Sequence, residues 1–255
     1  MVISPKYSMI HPPLIDRLLS EESCSKDPLK AVKTRLYMMF GAYVDGNAHK
    51  KAGTAIRCAD VEDLAEVSSK ILGLHASTRE RSRFLEAFFE FVSSIVKPPT
   101  RVLDLGCGFF PFSVPLWPAG FRESIDQYYA YDIDLRTREL LNIFFEWLGL
   151  PRNAECIDLA VETPTESVDL ALLCKLIPVI EAEKPGRGFG LANSLDADAL
   201  VITFPLKSLS GKEKGMYGNY SATFEKSLSE GKLSNFRLIN SGRIGNELVY
   251  VCKRH

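Results

Sequence analysis

Residues 101–108 read Arg-Val-Leu-Asp-Leu-Gly-Cys-Gly, and this run constrains the fold more than any other. Val102, Leu103 and Leu105 make a short apolar strand that reads as buried on both faces, with an acid, Asp104, inside it. Gly106 and Gly108 follow at a spacing that suits a backbone turning sharply or approaching a ligand closely. A short apolar strand closed by a glycine turn opens a strand–turn–helix unit. Such units build a parallel sheet covered by helices.

The rest of the chain agrees with that start. Strands are predicted at 101–105, 128–132, 153–158, 168–174 and 198–204, with helical patterns between several of them, such as 134–150. Two closing strand-like runs, 236–242 and 247–253, are joined by a short glycine-containing turn and predict a hairpin. The expected fold class is therefore α/β, a doubly wound sheet with one antiparallel edge pair. The first hundred residues read as helical. Residues 11–22 place Pro near a helix start, and 59–74 repeat the helical spacing. Residues 27–44 open on Asp27 as N-cap and Pro28 at the first helical position, with Leu29, Val32, Leu36 and Met39 on one stripe. Residues 77–96 read as one helix, with Ser77 and Glu80 in capping-box spacing, and Lys97-Pro98-Pro99-Thr100 breaks it. The expected division is a helical region at 1–97 and an α/β domain at 98–255.

Composition excludes some functions. At 255 residues and 46% hydrophobic, the chain can bury a sizeable core. Its net charge of −1 argues against general affinity for polyanions, yet the charge is uneven: +2 over 1–100, −8 over 101–200 and +5 over 201–255. A basic face is therefore compatible with the near-neutral total. The six cysteines form no C-x-x-C pair and read as reduced thiols in a cytoplasmic protein. Cys107 and Cys174 read as packing residues, as do Phe88, Phe89 and Phe91. The four histidines are scattered, so no metal site is expected. The start of the chain lacks a secretory-signal pattern, and no apolar run reaches membrane-spanning length.

In an open sheet of this kind a ligand binds beyond the carboxyl ends of the strands. Glycines after the first strand let backbone N–H groups approach it. An acid ending the second strand, Asp132, can accept from ribose hydroxyls. Asp158, after the third, can accept from an adenine amine. Phe110 and Pro111 follow Gly108, so the loop is not G-x-G-x-x-G, which weakens a dinucleotide reading. D-x-G-x-G with an acid one strand later fits S-adenosylmethionine better. The loop alone fits a tight turn without ligand equally well; the two strand-end acids favour the cofactor.

Several other stretches are sharper: AVKTRLYMMFGAYV (31–44), LHASTRER (74–81), CKLIPVIE (174–181), FPLKSLSGKEKGMYGNY (204–220) and GNELVY (245–250). Together they resemble the 16S rRNA (guanine(1405)-N(7))-methyltransferase family, the enzymes of high-level aminoglycoside resistance. The similarity runs in matching order from Lys6 to Lys253. It implies a class I (Rossmann-like) S-adenosylmethionine-dependent methyltransferase domain preceded by a helical RNA-docking region. It also implies the small ribosomal subunit as partner, monomeric action, and methyl transfer to N7 of a decoding-site guanine. It places Arg81 on the methionine carboxylate, Gly106 by the methionine part, Asp132 on the ribose, and Asp158 with Leu159 at the adenine. The expected cofactor set is completed by Asp104, Gly108 and Ile133, with Asp104 orienting the loop. Lys6, Arg17, Lys33, Arg35, Lys207, Lys212 and Lys214 are expected to face RNA. Guanine N7 has a lone pair and no proton, so no general base is required and no catalytic dyad is expected. Lys175, Tyr217 and Tyr220 are the candidates at the target base. The chain departs from the family's common pattern at Phe110, where Asn is frequent, at Tyr217, where Glu is frequent, and at Lys207, where Arg is frequent.

From the residues alone other readings stand beside these. Arg81, between Arg79 and Arg83, reads as a solvated helix charge, and only the resemblance makes it a ligand. Asp158 reads as a turn residue. Lys175 beside an apolar strand reads as a side chain snorkelling from the sheet's end. The lysines at 207–214 read as a polar loop. Two other functions remain open: a methyltransferase for another RNA site, a small molecule or a protein, and a non-catalytic ribosome-binding protein.

Overall fold

The computed structural model describes residues 7–41, 47–58, 63–206 and 216–255, with the side chains of 216 and 217 excepted. Its centre is a seven-stranded sheet: β1 (Arg101–Leu105), β2 (Gln127–Asp132), β3 (Ala154–Cys156), β4 (Ser167–Cys174), β5 (Asp196–Pro205), β6 (Phe236–Ile244) and β7 (Glu247–Arg254). The order is β3-β2-β1-β4-β5-β7-β6. The first five strands are parallel to their neighbours, and β7 lies antiparallel between β5 and β6. The chain leaves β1 towards β2 on one side, then returns to place β4 on the other, so the switch point lies between β1 and β4. The expected strands and hairpin are all present.

Eleven α-helices occur among the described residues: α1 (Pro12–Glu21), α2 (Pro28–Leu36), α3 (Ala48–Arg57), α4 (Leu64–Leu72), α5 (Ala76–Arg81), α6 (Leu85–Ser93), α7 (Ala119–Arg122), α8 (Leu135–Trp147), α9 (Leu176–Glu183), α10 (Arg187–Ser194) and α11 (Met216–Ser229). Asp27 caps α2 as expected, accepting from the Lys30 N–H at 3.1 Å. The single helix expected over 77–96 is instead α5 and α6, split by a 3₁₀ turn at Ser82–Phe84. The capping box does not form: the N-cap is His75, and the Glu80 carboxylate is drawn to Lys175. Between β1 and β2 the chain makes a 3₁₀ segment, Phe110–Leu116, and the one-turn α7. Pro111, Pro115 and Pro118 lack the N–H donors that a full crossover helix needs.

Alternation along the strands divides the core. Val102, Tyr128, Leu170, Leu172, Val201, Val249 and Val251 face one side. There they meet Ala52 and Ile56 of α3, Val67 and Ile71 of α4, Phe88 and Phe89 of α6, the 3₁₀ segment, and Phe144 and Phe145 of α8. Leu103, Leu105, Leu173, Leu200, Ile202, Phe204 and Tyr250 face the other side, against α9, α10 and Phe224 of α11. One continuous core thus crosses the sequence boundary between 97 and 98. A third, smaller cluster joins α1 and α2 through Leu14, Leu18, Val32 and Leu36, with Ile133 packed against it. Backbone bonds pin this part to the loop after β2: His11 N–H to Ile133 O and Leu135 N–H to Met9 O, both 2.8 Å.

The turn of the last hairpin locks the helical region to the sheet. Gly245 has φ +55, and a Cβ there would overlap Cδ1 of Phe84. Gly245→Ala therefore combines a left-handed backbone with overpacking against a ring. It is expected to lower unfolding stability by about 2 kcal/mol or more, read as a shifted urea midpoint at unchanged m-value.

Candidate active site

A cavity opens at the carboxyl ends of β1 to β4, on the switch point. The loop after β1 contributes Gly106, Cys107 and Gly108; the end of β2 contributes Asp132 and Ile133; the chain after β3 contributes Ile157, Asp158 and Leu159. Cys174, Lys175, Leu176 and Ile180 line it from the end of β4 and from α9. The helical region adds His75, Thr78 and Arg81 from α5, and Leu14, Met39 and Phe40 from α1 and the segment after α2. That last contribution was not legible, because nothing separates those three apolar residues from ordinary core.

The glycine loop and the second-strand acid hold each other. Oδ2 of Asp132 accepts from the Gly108 N–H at 2.8 Å, and Oδ1 accepts from the N–H groups of Ile133 at 2.7 Å and Asp134 at 3.1 Å. Burial raises the Asp132 pKa, and these N–H groups offset it. Gly106 has φ +61, and a Cβ there would meet Leu176 Cδ1 at 2.7 Å. Gly108 has φ +51, with the His75 ring 3.1 Å from where its Cβ would be. The loop is thus held tightly between α5 and α9, and only glycine fits.

A buried charge network forms beside it. Arg81 is 1% exposed and Glu247 is 0% exposed. Nε and Nη2 of Arg81 donate to the Glu247 carboxylate at 3.1 and 2.9 Å. The Arg81 guanidinium carbon lies 4.6 Å from the centroid of the Phe110 ring, a cation–π contact. Lys175 follows β4 with φ 58, the one non-glycine positive φ among the described residues. Its Nζ lies 2.8 Å from Glu80 and 3.3 Å from Glu247. Arg81 is therefore no solvated helix charge, and Lys175 is paired rather than snorkelling. Glu247 was missed, although an acid opening an otherwise apolar final strand was a visible signal.

Several expected residues sit elsewhere. Arg17 and Arg35, expected to face RNA, are turned inward by acids on α1, α9 and the loop after β3. Arg17 donates to Asp158 at 2.6 Å, to Glu21 at 2.9 Å and to Glu183 at 3.2 Å. Arg35 binds Glu21 at 2.7 Å and Glu22 at 3.0 Å, and Glu183 through both Nε and Nη2. Asp158, expected to meet an adenine, lines the cavity but shares its carboxylate with Arg17 and with the Ala160 N–H. Asp104 does not line the cavity; it is fully buried and accepts from the Tyr128 hydroxyl at 3.0 Å, because its strand position faces the aromatic side of the sheet. Tyr220 is half-buried on α11 with its ring stacked on Phe204, 5.1 Å between centroids, and is not among the cavity residues. Lys33 is exposed on α2. Lys6, Lys207, Lys212, Lys214 and the Tyr217 side chain lie outside the described residues.

The cavity is built to hold a ligand rather than to move protons. Burial pushes the Cys174 thiol up to about 12 and the His75 imidazole down to about 3, so neither is a useful base or nucleophile near neutrality. What remains is Asp132 fixed by backbone donors, Asp158 and Glu183 paired with Arg17, apolar walls, and two paired cations. That set suits a nucleoside carrying a zwitterionic tail.

The family model described as ribosomal RNA methyltransferase (FmrO) matches residues 3–251. A 16S rRNA (guanine(1405)-N(7))-methyltransferase of Serratia marcescens is 32% identical over 259 residues, covering 100% of this chain and 96% of that protein. One of Micromonospora rosea is 30% identical, covering 97% of this chain and 92% of the relative. Among solved structures, the 16S rRNA methyltransferase RmtF in complex with S-adenosyl-L-homocysteine superposes with TM-score 0.86 at 32% identity, covering 99% of this chain and 95% of that one. The 16S rRNA methylase RmtB gives TM-score 0.79 at 30% identity, with coverages of 99% and 94%.

Asp104 generates a pH prediction. Burial pushes its carboxyl up to about 7 in the folded chain, against an unfolded value of about 4. The unfolded state therefore releases the proton first, and stability falls as pH rises from 4 to 7, then levels off. Asp104→Asn keeps the acceptor for Tyr128. It is expected to flatten that decline and to raise stability at pH 8 by about 2 kcal/mol, read from urea unfolding across pH.

Proposed function

The chain belongs to the ribosomal RNA methyltransferase (FmrO) family, and we propose that it methylates N7 of guanine 1405 of 16S rRNA, using S-adenosylmethionine. The observation that carries this reading is the cavity at the switch point, on a chain that superposes over 99% of its length on a relative crystallised with S-adenosyl-L-homocysteine. The residues fit that ligand class. Asp132 would take the ribose hydroxyls and Arg81 the methionine carboxylate. Ile133, Ile157, Leu159 and Ile180 would give the adenine an apolar slot, and Gly106 and Gly108 leave the backbone open to the methionine part. When bound, the cofactor supplies an electrophilic methyl group on a sulfonium.

The protein's own contribution is positioning. Guanine N7 attacks with an in-plane lone pair and loses no proton, which agrees with a cavity whose carboxylates are held by backbone N–H groups or by Arg17. Alignment and exclusion of water then account for rate, through effective molarities of about 10⁵–10⁸ M. N7 lies on the major-groove edge, inaccessible in regular A-form RNA, so the base must be unstacked to react. Lys175, at the mouth of β4, is the described residue we assign nearest to that base.

The substrate is a folded RNA surface in the small subunit, bound by a monomer in the cytoplasm. No helix among the described residues is long and apolar enough to cross a membrane. Lys50 and Arg57 of α3 line a shallow surface groove together with Arg136 and Arg138 of α8, which pair with Asp134 and Glu139, and exposed Lys33 adds to the cations available for phosphates. Affinity from such contacts weakens as salt rises. Methylation of this guanine is the basis on which the resemblance implies aminoglycoside resistance.

The test is transfer of labelled methyl from S-adenosylmethionine to isolated small subunits and to naked 16S rRNA, with the modified nucleotide mapped. Label at N7 of guanine 1405, on subunits only, is the expected result. No label on either substrate, with S-adenosyl-L-homocysteine still bound, would overturn it. Asp132→Ala is expected to weaken S-adenosyl-L-homocysteine binding by about 2–3 kcal/mol, measured by calorimetry, because the loop loses its anchor as the ligand loses an acceptor.

A further inference from the structure

We infer that Glu247 is a positioning residue that sets the orientation of Arg81, and through it recognition of the amino-acid end of the cofactor; this rests on the cofactor reading above. Glu247 is fully buried and does not line the cavity, whereas its two cationic partners, Arg81 and Lys175, both do. It therefore acts on a ligand only through them. Its carboxylate takes the Nε–Nη2 edge of the guanidinium in a forked pair. Among the described residues Nη1 of Arg81 has no hydrogen-bond partner. The Phe110 ring covers the guanidinium face at 4.6 Å. With one edge and one face fixed, the remaining donor has a single direction to offer.

The charge count points the same way. The three most buried members, Arg81, Lys175 and Glu247, together carry one positive charge in excess, while Glu80, the fourth, is 39% exposed at its side chain. With Glu80 counted the four charges balance, but only the two cations line the cavity, so an entering carboxylate meets the positive side of the network. Glu247 also holds Lys175 at 3.3 Å, so one carboxylate keeps two like-charged side chains apart and assigned to separate places.

This separates ligands by their tails. S-adenosyl-L-homocysteine carries the amino-acid carboxylate; 5′-methylthioadenosine shares the adenosine and the thioether but has none. Glu247→Gln keeps the shape, removes the charge and turns an amide N–H₂ towards one of two cations, so Arg81 loses its forked partner. Calorimetric titration of the full-length wild type and variant with both ligands, after circular dichroism shows both are folded, tests the inference. The expected result is that Glu247→Gln loses about tenfold or more in affinity for S-adenosyl-L-homocysteine while its affinity for 5′-methylthioadenosine is unchanged. An Arg81→Met/Glu247→Gln double variant is expected to bind S-adenosyl-L-homocysteine no more weakly than Arg81→Met alone. Equal loss for both ligands, or loss for neither, would overturn the inference. If Glu247→Gln does not fold, Glu247→Asp, which keeps the charge and shortens the reach, is expected to show the same ligand-selective loss to a smaller degree. Failure of both to fold would make the carboxylate a folding element and overturn its proposed role. A wild type that binds neither ligand would instead sink the cofactor reading itself.

Discussion

A parallel sheet must be covered on both faces, and here the first crossover cannot supply its share of cover. Three prolines between β1 and β2 leave a 3₁₀ segment and a one-turn helix where a full helix would otherwise pack. The gap is filled from earlier in the chain, by α3, α4 and α6, whose Ile56, Ile71, Phe88 and Phe89 join the same core as Val102 and Tyr128. The rest of the architecture follows from this borrowing. Once the helical region is the missing layer, the end of α5 reaches the strand ends, and Arg81 arrives at the cavity as a consequence of core packing. The helical region expected to dock RNA thus also forms part of the fold's interior.

Placing charges in that interior is costly, and the structure meets the cost with pairs rather than with isolated ions. A buried Arg–Glu pair gives little net stability compared with apolar residues of similar volume, yet losing one partner costs about 3–5 kcal/mol. Such a pair persists where it fixes a geometry. Arg81 and Glu247 join the end of α5 to the start of β7, 166 residues apart, and the hairpin turn beside them is closed by Gly245 against Phe84. The left-handed Lys175 sits on the same carboxylate. Two independent constraints, one ionic and one steric, thus hold the first and last parts of the chain at one place.

The strand ends were legible because strand periodicity and glycine placement are local: Gly106, Gly108 and Asp132 stand where the alternation of apolar runs puts them. The loop's Asp104 shows the limit of that locality. Its position in the motif said cofactor; its parity on β1, one residue out of phase with Leu103 and Leu105, sent it to Tyr128 instead. The pairing of Arg17 and Arg35 was not legible for a different reason. Besides the nearby Glu21 and Glu22, their buried acids Asp158 and Glu183 lie 141 and 148 residues away, and an exposed helix charge cannot be told from an inward-paired one without that distance being closed. The Ser77–Glu80 spacing was a true local signal that lost to a tertiary one, because a paired Lys175 is a stronger attraction for Glu80 than a free backbone N–H.

The seam that joins α1 and α2 to α9 is unevenly stocked. Arg17 touches Asp158, Glu21 and Glu183, and Arg35 touches Glu21, Glu22 and Glu183, so two guanidinium groups share four carboxylates. An arginine that leaves one acid has another within reach, and no displacement of a few tenths of an ångström strands a cation. A seam of this kind resists separation and tolerates the loss of a contact. Any one of the four acids can be lost and each arginine still keeps at least two carboxylate partners.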